Sequence, residues 1–311
     1  MNKIAFVFPG QGSQSVGMLD ALTDYPEVAA CFAVAHDVLG VDLLKMVNQG
    51  PAEELNKTQW TQPALLAASV GIYQAIKARK ELPVVVMAGH SLGEYSALVC
   101  ADSLDLATAL QLVHKRGTYM QSAVPAGKGS MAAVLGLEAE AIEQACEQAQ
   151  QQTGEAVSPA NFNSPGQIVI AGAVDAVAKA GELCSEAGAK RVMPLAVSVP
   201  SHCELMRPAA EQLAKDLEGI EFKVPAIDVL HNVNVASHAN AQSIKAALVA
   251  QLYSPVKWTQ TMETLQKLGV DTVAECGPGK VLSGLFKRFD RNLNAIPLLN
   301  STGIEQILGA E

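Results

Sequence analysis

Five apolar residues, Val84–Ala88, run into Gly89-His90-Ser91-Leu92-Gly93, and the stretch Leu92–Ala101 that follows can continue as a helix. Few folds accept a strand that turns so sharply into a helix. The strained turn needs glycine on both sides, and it leaves the central serine projecting at the sheet edge. A strand that is apolar at every position, rather than at alternate ones, is covered on both faces. Ile4–Phe8 has the same character and precedes a glycine-rich loop, and Asp271–Glu275 precedes Gly277-Pro278-Gly279 and a helix-like Val281–Phe286. Such strands alternating with helices predict a central parallel sheet in an α/β protein.

The middle of the chain follows another order. Ser130–Leu135 reads as a strand, Ala139–Gln151 as a helix, and Val157–Phe162 and Gln167–Ala171 as two strands. Val174–Ala187 then reads as a helix and Arg191–Val197 as a last strand. That βαββαβ order is ferredoxin-like. With Pro125-Ala126-Gly127-Lys128-Gly129 as an entry hinge, residues 125–196 form a small inserted domain. Residues 1–124 and 197–311 form a large α/β-hydrolase-like domain, with the substrate cleft expected between the two.

Composition removes several alternatives. A chain of 311 residues that is 49% hydrophobic can bury a full core. A net charge of −9 argues against nucleic-acid binding and requires local attraction for any anionic substrate. Ile4–Phe8 is too short for a secretory signal, and Pro63–Ile72 is about half a membrane span. These features predict a cytoplasmic protein with no membrane partner, expected as a monomer. The six cysteines form no C-x-x-C pair, so neither a zinc site nor a disulfide framework is indicated. Gly10-x-Gly12-x-x-Ser15 lacks the third glycine of a dinucleotide fingerprint, and Gly277-Pro278-Gly279-Lys280 lacks the spacing of a phosphate loop. No cofactor is expected.

Gly89-His90-Ser91-Leu92-Gly93 makes Ser91 a candidate nucleophile, with the Leu92 N–H at a helix N-terminus free to hold an oxyanion. A serine hydroxyl needs a base. His202, after Pro200-Ser201 and before a helix-like Leu205–Leu217, has the most suggestive setting among the six histidines. A neighbouring helix N-terminus disfavours its charged form. His90 is expected to point away from Ser91 and to support the turn, and Cys203, adjacent to His202, is a weak nucleophile candidate. On the helix Asp105–Gln121, Arg116 falls at the edge of the apolar stripe Leu106, Ala109, Leu110, Val113, Gly117 and Met120. A buried arginine needs acceptors. Two readings stay open on spacing alone: a salt bridge within the chain, or a bidentate clamp on a substrate carboxylate.

Six motifs in one order resemble the malonyl-CoA:acyl carrier protein transacylases of bacterial fatty acid synthesis over essentially the whole chain. They are Gly10-Gln11-Gly12-Ser13-Gln14, Gly89-His90-Ser91-Leu92-Gly93-Glu94, Arg116, Val199-Pro200-Ser201-His202, Gln251-Leu252-Tyr253-x-Pro255-Val256-x-Trp258, and Gly277-Pro278-Gly279-Lys280. The resemblance implies Ser91 as nucleophile, His202 as base and Arg116 as the malonyl carboxylate clamp. It also implies Gln11 beside the oxyanion hole and Gln251 supporting His202. The family uses a Ser–His dyad. The helix carrying Gln251 must end by Pro255, so a last-turn carbonyl is available to the second N–H of His202. The implied partners are malonyl-CoA and an acidic acyl carrier protein, whose docking patch is sought at Lys280, Lys287, Arg288 and Arg291 or at Lys190 and Arg191. Alternatives are a serine thioesterase or esterase, the transacylase subunit of malonate decarboxylase, and a carrier-binding subunit without chemistry. Asn161 is a further residue placed near the cleft.

Overall fold

The computed structural model describes residues 3–196 and 199–309. Five parallel strands form the central sheet: β1 (Ile4–Phe8), β2 (Val84–Gly89), β7 (Val229–Leu230), β8 (Thr272–Glu275) and β9 (Asn294–Pro297), in the order β7-β2-β1-β8-β9. All five residues of β1 are buried. Ile4, Phe6 and Phe8 enter one apolar cluster and Ala5 and Val7 another, which explains the unbroken apolar run. The larger cluster is closed by the helices Pro26–Leu39, Thr58–Lys77 and Leu106–Ala123, and the smaller by Trp258–Lys267 and Val281–Phe289. β7 and β9 escaped the sequence reading: β7 has only two residues, and β9, Asn294-Ala295-Ile296-Pro297, has only two apolar residues between an asparagine and a proline.

The second sheet is antiparallel and is built from β3 (Gly129–Leu135), β4 (Val157–Ser164), β5 (Gln167–Ala173) and β6 (Arg191–Pro194), in the order β4-β5-β3-β6. The helices Ala139–Thr153 and Val174–Glu186 cover one of its faces around Val134, Ile142, Ile170 and Val177. This is the ferredoxin-like arrangement. β6 stops at Pro194, earlier than the sequence suggested; it lies at the sheet edge, where a proline is tolerated, and one further bond, from Leu195 N to Met131 O, follows it. Val197, the expected end of that strand, lies outside the described residues, as does the expected resumption of the large domain there.

The two sheets meet where the site forms. β4 shifts register between Pro159 and Asn161, and there it pairs with the segment that follows the helix Ala241–Gln251. Val256 N donates to Ala160 O at 2.9 Å, and Phe162 N donates to Val256 O at 2.9 Å. Asn161 is buried at this irregularity. Among the described residues no helix is long and apolar enough to cross a membrane.

Candidate active site

The turn after β2 is as tight as its glycines imply. A Cβ at Gly89 would lie 1.8 Å from Gly93 C, and one at Gly93 would lie 2.0 Å from Phe8 O. Ser91 adopts φ 52°, in the left-handed region, where a side chain costs about 1–2 kcal/mol. His202 is held likewise at φ 63°. Its main-chain N–H donates to Leu252 O at 3.0 Å, which ties the loop to the end of the helix Ala241–Gln251.

These constraints bring Ser91 Oγ to 2.8 Å from His202 Nε2. The other ring nitrogen, Nδ1, lies 2.7 Å from the Gln251 main-chain carbonyl. A carbonyl only accepts, so Nδ1 carries the proton and Nε2 is the free base facing the serine. The His202 pKa is lowered to about 3, first by burial and then by the Arg116 charge, while the Gln251 carbonyl pulls the other way. The expected direction is therefore found, but with a different cause. A helix does follow the histidine as the sequence indicated, through the 3-10 turn Glu204–Met206 into Arg207–Glu218, but enclosure of the ring is the larger cause. Cys203 is buried, its thiol donates to Pro200 O, and burial pushes its pKa up to about 12, so it offers no thiolate.

Arg116 is 1% exposed. Its Nη1 donates to Gln62 Oε1 at 2.8 Å, and its Nη2 donates to Gln251 Oε1 at 2.9 Å and to Ser91 Oγ at 3.1 Å. Among the described residues Arg116 has no carboxylate in salt-bridge contact, and its Nε has no acceptor. Burial pulls the guanidinium pKa down, opposed by Tyr95 and Glu94. Of the two readings left open by the spacing, the internal salt bridge is not the one found.

Ser91, His202 and Arg116 line one cavity of about 130 Å³, with Gln11, Leu92 and Asn161. Among the described residues the main-chain N–H groups of Gln11 and Leu92 have no acceptor, so both remain available to a ligand oxygen. The Gln11 side chain is turned aside, 3.3 Å from Thr58 Oγ1. His90 also borders the cavity, but its Nε2 pairs with Asn163 Oδ1 at 2.9 Å and its ring packs against Trp258. It thereby links the turn to β4. A larger cavity of about 640 Å³, beside Glu143, Phe162 and Glu263, holds none of these residues.

Three groups were missed by the sequence reading. Gln62 sits in a helix buried almost throughout, so no polar face marks it. Asn232 Oδ1 accepts from Ser91 N at 2.7 Å, and Asn232 Nδ2 donates to Gly89 O, pinning both ends of the turn. Glu94 is fully buried and pairs with His231 Nδ1 at 2.6 Å. Glu94 closes the Ser91 motif in sequence but has no role assigned there, and its further signal was a carboxylate inside an otherwise uncharged helical run.

A strand-to-helix turn on a parallel sheet that sets a serine against a histidine, with a buried cation beside it, is the kind of arrangement that acyl-transfer chemistry uses. The chain belongs to the acyl transferase family: the family model described as "Acyl transferase domain" matches residues 5–294. It is 60% identical to a malonyl CoA-acyl carrier protein transacylase of Haemophilus influenzae, over 95% of each chain. It is 54% identical to the protein of the same description from Escherichia coli K12, over 96% of each. The solved acyl carrier protein S-malonyltransferase of Vibrio cholerae superposes with TM-score 0.95 at 54% identity, covering 98% of this chain and 99% of that one. A malonyl-transacylase solved in complex with a type II PKS acyl-carrier protein superposes with TM-score 0.96 at 53% identity, covering 98% and 99%.

Proposed function

We propose that the chain transfers a malonyl group from malonyl-CoA to the phosphopantetheine thiol of acyl carrier protein, through a malonyl ester on Ser91. His202 Nε2 takes the Ser91 proton as Oγ bonds to the thioester carbonyl carbon. The N–H groups of Gln11 and Leu92 hold the oxyanion. The C–S bond then breaks, and the CoA sulfur leaves with the proton from His202. The carrier thiol repeats the two steps in reverse, giving its proton to His202 and releasing Ser91. The activated thioester supplies the driving force, and the substrates bring their own phosphopantetheine.

The observation that carries this reading is Arg116, a buried guanidinium with no carboxylate partner among the described residues, 3.1 Å from Ser91 Oγ. In a malonyl ester a single methylene separates the acyl carbon from the free carboxylate. A fork one hydrogen bond from the nucleophile is thus at the right remove to hold that carboxylate. Malonyl-CoA alone should leave one malonyl group on the intact protein by mass, and holo-carrier should remove it. A protein that stays unlabelled, or that hydrolyses malonyl-CoA as fast without carrier as it transfers with it, defeats the reading.

We propose a cytoplasmic setting and take residues 125–196 as the inserted unit. For the carrier we propose a single docking face that joins both basic runs. Arg288 donates to Gln167, which pairs with Leu135, which in turn pairs with Arg191. Arg288 therefore contacts a strand position about 10 Å, or two strand spacings, from Arg191. Lys190, Arg191, Lys280, Lys287, Arg288 and Arg291 are all exposed. The double change Lys287→Glu/Arg288→Glu should raise the carrier KM about 10-fold at low salt and leave the malonyl-CoA KM alone. An unchanged carrier KM removes this face.

A further inference from the structure

The helix after the Ser91 turn carries a carboxylate that the transfer chemistry does not use. Glu94 is fully buried. Its Oε1 pairs with His231 Nδ1 at 2.6 Å, and its Oε2 accepts from Asn232 N and from Gln251 Nε2, each at 2.9 Å. Gln251 Nε2 also donates to Ser91 O at 3.0 Å, while Gln251 Oε1 accepts from Arg116 Nη2 at 2.9 Å. A carboxylate accepts and a guanidinium donates, so the amide fits between them in only one sense. Its nitrogen must face Glu94 and its oxygen must face Arg116.

We infer that the Gln251 side chain is a positioning residue for Arg116, and that Glu94 fixes the sense of its amide. A carboxylate touching Arg116 would fix the fork more firmly, but it would also neutralise it, and an incoming carboxylate would then have to displace an internal one. One amide between Glu94 and Arg116 keeps the guanidinium oriented and leaves its charge for the ligand. A neutral acceptor thus occupies the place where a buried arginine ordinarily finds an acid. The same residue serves His202 separately, through its main-chain carbonyl. The inference rests on the reading of Arg116 as the malonyl carboxylate clamp.

Exchanging the two side chains tests it. In Glu94→Gln/Gln251→Glu the total charge is unchanged, but the carboxylate moves into contact with Arg116, and the new amide at position 94 can donate to it. The oxygen of that amide keeps accepting from His231 Nδ1, and the bond from Asn232 N is the one given up. The malonyl-CoA KM should rise about 100-fold, while kcat falls less than about 10-fold because the residue 251 carbonyl still holds His202. Preference for malonyl over acetyl loading should fall with it. An unchanged KM or preference overturns the inference, as does a uniform loss of kcat with KM preserved. If the pair does not fold, Gln251→Glu alone is read the same way. Failure of both to fold marks the pair as structural and also overturns the inference. Arg116→Ala run alongside separates the two levels. If it keeps malonyl preference, the clamp reading itself fails; if it loses preference while the exchanged pair keeps it, only the present inference fails.

Discussion

Ser91→Ala protein mixed with malonyl-CoA is expected to gain no mass, and its transfer rate to carrier should fall by about 10,000-fold or more. The size follows from how the side chain is used. Among the described residues no other hydroxyl or thiol bonds His202 Nε2, and the adjacent Cys203 thiol is held closed against Pro200 O. The fold should survive. Alanine adopts the same left-handed backbone no worse than serine does. The loss is one hydrogen bond to His202 and one from Arg116, about 1 kcal/mol each. Melting temperature and carrier binding therefore serve as controls. A malonyl adduct that persists on Ser91→Ala protein places the nucleophile elsewhere.

Arg116→Ala should reverse the acyl preference. Malonyl transfer should drop about 1,000-fold, since a desolvated carboxylate left without its cation costs about 3–5 kcal/mol. Acetyl transfer, which needs no such partner, should rise relative to malonyl. The change also alters pH dependence, and the sign is fixed. Burial and the Arg116 charge together hold His202 at about 3. As the base must be neutral, activity is lost only as pH falls through that value. Removing Arg116 removes a lowering influence, so the His202 pKa rises and the acid limb of kcat/KM for acetyl-CoA moves to higher pH. An acid limb that stays in place, or a retained preference for malonyl, contradicts the role given to Arg116.

Much of this arrangement was readable because it rests on local rules. The turn around Ser91 follows from glycines at both ends of a sharp bend, and the burial of Arg116 from its angle on a helical stripe. The Gln251 carbonyl followed from a helix forced to end before Pro255. What stayed hidden depends on long-range approach. Gln62, Glu94 and Asn232 gain their meaning from partners 54, 157 and 141 residues away. No periodicity encodes such pairings. The lowered His202 pKa shows the same division: its direction was legible, but its main cause, enclosure by the completed core, was not. The basic runs at 190–191 and 287–288 stood in sequence as one or two separate patches, and the proposal that they share a face rests on the Arg288–Gln167 contact and the register of β3 with both its neighbours, which no local pattern encodes.

The sheet order has a consequence for how the enzyme comes into being. β1 lies at the centre, yet one of its neighbours is β2 and the other is β8, and the Asp271 N–H reaches back to Lys3 O. A ribosome delivers the two sides of that strand far apart in time. Until β8 emerges, one apolar edge of β1 has no native mate, and Ser91 has neither its base from residue 202 nor the carbonyl from residue 251. Loops this long close slowly, so folding should be late and cooperative. Nascent chains should thus stay chemically silent towards acyl thioesters until nearly the whole polypeptide is out.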